Sequence, residues 1–267
     1  MTTKTTATAT TTTARLVEVF SAIQGEGLNV GTRQIFIRFA LCDLRCHFCD
    51  SSNTWNAPNV CRIERFPGSR DFEVYSNPVT LSMLLQWVER QNIPHLHDSI
   101  SLTGGEPLLH ASFLVEFLPQ VRSATQLPIY LETGGHRSEQ LAMVLPYLDS
   151  VGMDFKLESV SGEKRFVEHA RFLQLCDDSQ VEVFVKIIIS ASTDVVELEQ
   201  AAQIIAKINR SIPIFLQPVT PLVSPIHAEK AIIAPSPDQV LRWQADMKRI
   251  VKHVRVVPQT HKMLNQL

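Results

Sequence analysis

No stretch of this 267-residue chain holds the roughly 18 consecutive apolar residues that a membrane-spanning helix needs. The best candidate, residues 183–189 (VFVKIII), is broken by Lys186. The N-terminus has no apolar h-region, so no secretory signal is expected. A surplus of positive charge is also missing. The formal net charge is −2 and the isoelectric point is about 6.5. That excludes a bulk electrostatic drive towards nucleic acid, while leaving room for a local basic pocket. Cysteine is scarce, with five residues, too few for a disulfide scaffold. Three of the five nevertheless fall within eight positions, a grouping that would invite mispairing in a secreted protein. A reducing cytoplasm, with a metal or cluster bound at those thiols, fits better.

What remains is ordinary globular material, 45% apolar and 19% charged, enough for one large α/β domain or two small ones. Residues 1–14 are low in complexity, with nine threonines, and read as a disordered tail. Behind them, short apolar runs bounded by turn residues predict strands at 15–20, 34–41, 99–103, 128–132, 150–156, 181–190, 212–217 and 254–258, as for strands buried on both faces. Between them lie helical stripes. Leu81, Leu84, Leu85 and Val88 follow a candidate N-cap at Thr80; the spacing recurs at Leu114, Phe117, Leu118 and Val121, at Leu141, Val144, Leu145 and Leu148, and at Leu198, Ala201, Ala202 and Ile205. Val240, Trp243, Met247 and Ile250 suggest a last helix. All are read as core faces. Alternating strand and helix order predicts a mostly parallel sheet with right-handed crossovers. With no long linker, residues 15–267 read as one domain, and 56–79, rich in Asn, Pro, Gly and Arg, as an insertion loop.

The strongest chemical signal is Cys42-Asp43-Leu44-Arg45-Cys46-His47-Phe48-Cys49. This CxxxCxxC run leaves the C-terminal end of the strand-like IFIRFAL, where parallel α/β folds build their sites. Three thiolates can hold three irons of a [4Fe–4S] cube and leave the fourth without a protein ligand, whereas an electron-transfer cluster takes four cysteines. Structural zinc, with His47 or a distant residue as fourth ligand, is the competing reading. Cys61 and Cys176 read as ordinary buried or loop thiols.

CxxxCxxC with Phe48 before its last cysteine resembles the radical S-adenosylmethionine (SAM) superfamily. A second motif, Leu102-Thr103-Gly104-Gly105-Glu106-Pro107, is similar to that superfamily's GGEP turn. Its glycines let the backbone approach a ligand and expose N–H and C=O groups. A narrower match follows. Phe20-Ser21-Ala22-Ile23-Gln24-Gly25-Glu26-Gly27 resembles the opening of the 7-carboxy-7-deazaguanine synthase (QueE) family. Val254-Arg255-Val256-Val257-Pro258-Gln259-Thr260-His261-Lys262 resembles its close, and Leu216-Gln217-Pro218-Val219 and Cys49-Asp50-Ser51 also match.

The resemblance implies a modified partial (β/α)6 radical-SAM barrel, usually a homodimer. It implies conversion of 6-carboxy-5,6,7,8-tetrahydropterin to 7-carboxy-7-deazaguanine with loss of ammonia, a radical ring contraction on the route to queuosine and other 7-deazapurines. The implied cofactors are a [4Fe–4S] cluster, SAM and Mg²⁺, with a reductant such as flavodoxin or ferredoxin. Carried over by position, Cys42, Cys46 and Cys49 would hold the cluster. Gly105, with Gly104 and Glu106 beside it, would meet SAM, as would Asp154, Phe155 and Lys156 in place of a Ser-Pro-Lys segment, and Gln217, Pro218, Val219 and Thr220. Ile23, Gln24 and Gly25 would meet the pterin, joined by Thr103, His261 and the chain end at Leu267. Arg38 would pair with the pterin carboxylate, for which its guanidinium fork is suited; in IFIRFAL it lies opposite Ile35, Ile37 and Phe39, and an arginine in so apolar a strand is costly unless paired. Ser51 stands where many members have a Mg²⁺-binding threonine, and Asp50 beside it reads as a supporting or capping carboxylate. Two other readings stand beside this one: an activase that abstracts hydrogen from a glycine on a partner protein, which would share the cysteines and GGEP, and a non-catalytic Fe–S or zinc protein.

Overall fold

Residues 12–221 and 232–266 are described by a computed structural model. The chain opens with β1 (Thr13–Ala14), β2 (Leu16–Ile23) and β3 (Arg33–Phe39), then β4 (Val60–Glu64), β5 (Phe72–Ser76) and β6 (Val79–Thr80). Six β/α units follow the pattern expected of the sequence. After β3 comes α1 (Leu81–Gln91); then β7 (Ser99–Gly104) with α2 (Ala111–Thr125), β8 (Ile129–Thr133) with α3 (Ser138–Val144), and β9 (Ser150–Asp154) with the short α4 (Glu158–Ser161) and α5 (Phe166–Ser179). β10 (Glu182–Ile189) leads to α6 (Val195–Asn209) and β11 (Ile214–Pro218) to α7 (Pro237–Lys248); β12 (Val254–Val256) and α8 (Thr260–Met263) end the described chain.

Ten strands form one sheet in the order β12-β11-β10-β9-β8-β7-β3-β2-β4-β5. From β3 to β12 every neighbouring pair is parallel. β2 runs antiparallel to β3, and β5 to β4. β12 and β5 end the sheet without pairing to each other, so the barrel is partial and the mostly parallel α/β architecture stands as expected.

Among the helices, α1, α6 and α7 begin at side-chain caps. Thr80 accepts the Met83 amide, Asp194 accepts the Val196 amide, and Ser236 forms a reciprocal capping box with Gln239, each satisfying otherwise orphaned N–H groups. The helices' apolar stripes join one core with the strands: Leu84 and Val88 of α1, Phe117 and Val121 of α2, Leu141 and Val144 of α3, and Leu198 and Ile205 of α6 are all buried. On β3, Ile35, Ile37 and Phe39 enter that core, whereas Phe36 stacks on Phe20 in a separate cluster on the opposite face. That opposite face is the cavity side, which is how one strand builds both core and site.

Two expectations need correction, and one element was not foreseen. Residues 56–79 are not a plain insertion loop: β4 and β5 form a hairpin that extends the sheet beyond β2. The tail expectation for residues 1–11 lies outside the described residues, but Thr13–Ala14 pair with Val79–Thr80 as strands. α5 carries no clean apolar stripe and was not expected; its buried face mixes His169 and Cys176 with Phe172 and Leu173.

Candidate active site

The C-terminal ends of the parallel strands surround a cavity of about 510 Å³, of the size small-molecule sites have. Cys42, Cys46 and Cys49 line it, with Ser51, Gly104, Gly105, Glu106, Asp154, Lys156, Gln217, Val219 and Thr220. Ile23, Gln24, Gly25, Arg38, Thr103 and His261 line the same cavity. Segments more than two hundred residues apart in sequence thus meet at one site. Two expected contacts fall elsewhere. Phe155 turns into the core, where its ring packs on Phe166 and His169, and Pro218 is not among the lining residues. Leu267 lies outside the described residues.

The cysteine loop is anchored from both sides. The Glu106 amide donates to the Leu41 carbonyl and the Gly105 amide to that of Phe39. A Cβ on Gly105 would lie 2.1 Å from the Leu41 carbonyl oxygen, so only glycine allows this approach. Glu106 is buried; its carboxylate accepts the amides of Leu108 and Gly134 and the Thr133 hydroxyl. It therefore holds the turn together at the cavity wall, and burial pushes its pKa up.

All three cavity cysteines are free thiols. Burial raises their pKa values, that of Cys42 to about 12, so none is a thiolate unaided. Cys42, Cys46 and Cys49 would need a bound cationic centre to be held as thiolates. Among the described residues no three His, Cys, Asp or Glu side chains converge to hold one ion, and His47 lies against Gly162 rather than lining the cavity.

Arg38 is held, not free. Its Nε donates to Glu18 Oε1 at 2.8 Å, and Arg62 approaches the other oxygen of Glu18 at 2.5 Å. The guanidinium lies 5.4 Å from the Phe20 ring centre. β3 is an interior strand and Arg38 is 17% exposed, which excludes an edge-strand arginine in solvent. Beside it in register is Thr103, whose hydroxyl donates to Glu132 at 2.7 Å. Glu132 also accepts the Gln24 amide at 2.9 Å and the Tyr130 hydroxyl at 3.2 Å.

Several lining residues were not foreseen: Glu18, Glu26, Glu132, Lys186, Gln259 and Lys262. Lys186 signalled itself as the break in an apolar run, and Glu26, Gln259 and Lys262 stand inside the opening and closing motifs. Glu18 and Glu132 had no local signal. Asp50 bridges the cysteine loop to the C-terminal segment. It accepts from Lys262 Nζ at 2.8 Å, Gln259 at 2.9 Å and the Ser51 hydroxyl at 3.1 Å. Burial opposes its ionisation, but the Lys262 ammonium prevails and lowers its pKa to about 2.

Comparison with known proteins agrees with this geometry. Residues 23–158 match the family described as a 4Fe-4S single cluster domain. The crystal structure of QueE from Escherichia coli superposes with a TM-score of 0.61 at 20% identity, covering 92% of this chain and 94% of that one. Native anSMEcpe with bound AdoMet and a peptide superposes at 0.57 and 13% identity, over 83% of this chain and 63% of that one. A 7-carboxy-7-deazaguanine synthase of Geobacter sulfurreducens is 41% identical over 257 residues, 95% of this chain and 98% of the relative. One from Thermococcus kodakarensis is 31% identical over 94% of this chain and 98% of its own length. The partial barrel has the fold of these solved structures, and its three-cysteine loop lies within the matched 4Fe-4S single cluster domain. The chain belongs to the 7-carboxy-7-deazaguanine synthase family.

Proposed function

We propose that the enzyme converts 6-carboxy-5,6,7,8-tetrahydropterin to 7-carboxy-7-deazaguanine with release of ammonia. One observation carries this reading: a single cavity is lined by the three cysteines and the Gly104-Gly105 turn together with Gln24, Arg38, Thr103 and His261. A [4Fe–4S] cluster with SAM supplies one-electron, hydrogen-abstracting chemistry when bound. The chain's own residues hold, orient and shield. Cys42, Cys46 and Cys49 would hold the cluster. Gly104, Gly105, Lys156, Gln217, Val219 and Thr220 would form the polar cradle for SAM. The free edge of the Arg38 guanidinium would take the pterin carboxylate, and Ile23, Gln24, Gly25, Thr103 and His261 would border its rings.

Ser51 is the proposed oxygen ligand for Mg²⁺, with the substrate carboxylate and water completing the shell. Asp50 is already neutralised by Lys262, so the ion would depend on the substrate for its anionic ligand. A one-electron reductant of the flavodoxin or ferredoxin type, a reducing compartment such as the cytoplasm, and a homodimer complete the reading. Anaerobic protein reconstituted with iron and sulfide is incubated with SAM, reductant and the carboxytetrahydropterin, with and without Mg²⁺. Mass detection of 7-carboxy-7-deazaguanine is the expected result. Intact cluster with no product would favour the activase reading instead.

A further inference from the structure

Four charged side chains alternate across the cavity floor. Lys186, in the middle of β10, is 5% exposed. Its Nζ lies 2.5 Å from Glu26 Oε2 and 3.3 Å from Asp154 Oδ1. The other Asp154 oxygen is 2.7 Å from Lys156 Nζ, and Lys156 sits 5.0 Å from the Phe48 ring centre, within the cysteine loop. At the far end, the other oxygen of Glu26 accepts Gln259 Nε2 at 2.8 Å, while the Glu26 amide donates to Gln24 Oε1 at 3.0 Å. The line therefore runs from beneath the cysteine loop to the turn Gln24–Glu26.

Burying an ammonium is costly, and apolar residues of similar volume commonly serve stability as well or better. Every neighbour of Lys186 on β10 from Val183 to Ile189 is apolar and buried, so an apolar side chain would suit this strand. Without Lys186, Asp154 would share one cation with no second partner, and Glu26 would lose its cation altogether. The pairing thus ties the strand end proposed to meet SAM to the turn proposed to meet the pterin. Hydrogen abstraction requires reacting atoms within about 3–3.5 Å, and small misplacements are costly.

We propose that Lys186 is a positioning residue: through Glu26 and Asp154 it fixes the pterin turn relative to the SAM cradle, so that radical chemistry is spent on the substrate. This rests on the function proposed above. The test uses cluster-loaded Lys186→Met, assayed anaerobically for 7-carboxy-7-deazaguanine and for released 5′-deoxyadenosine. SAM affinity is measured by equilibrium dialysis, and affinity for 6-carboxypterin, a stable oxidised analogue, by fluorescence titration.

The released 5′-deoxyadenosine per product should rise at least tenfold over the parent enzyme. 6-Carboxypterin should bind about tenfold more weakly, with SAM affinity within threefold. Lys186→Arg, which keeps the charge, should recover most of the coupling. A ratio within twofold of the parent, or an unchanged 6-carboxypterin affinity, overturns the proposal. If Lys186→Met fails to fold or load its cluster, Glu26→Gln cuts the same tie while Lys186 keeps Asp154; the same rise is then expected, and its absence is equally decisive. Failure of the parent enzyme to form product would sink the function itself, whereas parent turnover with unaltered coupling in the variants sinks only this proposal.

Discussion

Arg38 shows how a single residue can be both structural and available. Its Nε is spent on Glu18, which leaves the two terminal nitrogens of the fork for an anion. Glu18, itself buried, is in turn shared with Arg62. Arg38→Ala should weaken 6-carboxypterin binding about 30- to 5000-fold, the range for losing one partner of a desolvated, hydrogen-bonded charge pair. Iron content and SAM affinity should stay at parental levels. Fluorescence titration checks this, and unchanged affinity removes Arg38 from the substrate site. Lys at this position would keep the charge but lose the planar fork. Arg38 was legible in the sequence because an arginine in an apolar strand demands a partner. Glu18 was not, since its role appears only when β2 and β3 pair.

At the scale of elements, the β/α units were legible wherever an apolar stripe or a short apolar run was clean. α5 was not, because its inward face includes a histidine with a purpose. His169 Nδ1 donates to the Gly135 carbonyl at 2.8 Å, and its Nε2 accepts the Lys156 amide at 3.0 Å. It braces the ends of β8 and β9 against α5, and it can do so only as the neutral ring. Burial lowers its pKa from 6.5 to about 4. The unfolded chain therefore binds a proton near pH 6.5 that the folded chain resists until about pH 4. The stability this gives is complete above pH 6.5 and is lost as pH falls towards 4. Between pH 7 and pH 5 the loss from this residue is about 2 kcal/mol. Urea unfolding at the two pH values should show His169→Gln less stable than the parent at pH 7, with a pH-dependent drop smaller by about that amount. Equal drops would show that His169 is not the titrating group. The β4–β5 hairpin escaped for a different reason: its strands are short, irregular in pattern and half exposed.

Over the whole molecule, the turn at Gly25 and Glu26 and the segment from Gln259 to Asn265 meet at the cavity. The Thr260 amide donates to the Gly25 carbonyl, Gln259 reaches Glu26 and Lys262 reaches Asp50, and Arg70 from the hairpin side holds the Asn265 carbonyl. The C-terminal segment thus forms a strap over the cavity that contacts the opening turn, the cysteine loop and the hairpin at once. No local pattern could announce this, although both motifs involved were visible as sequence; what was hidden was that they touch. The contact is tight at one point. A Cβ on Gly25 would lie 2.3 Å from His261 Nδ1 and 2.4 Å from its backbone nitrogen, closer than atoms can approach, so a side chain there must displace the strap. Gly25→Ala should leave the core untouched, because neither Gly25 nor the strap belongs to the main apolar cluster. Urea midpoint, iron content and SAM affinity are therefore expected to stay near parental values, while the KM for the carboxytetrahydropterin rises tenfold or more. A strap that merely covers the barrel end would give the opposite split: lower stability with an unchanged KM. Kinetics and unfolding on the same preparation distinguish the two, because a displaced His261 affects only a ligand that the strap helps to hold.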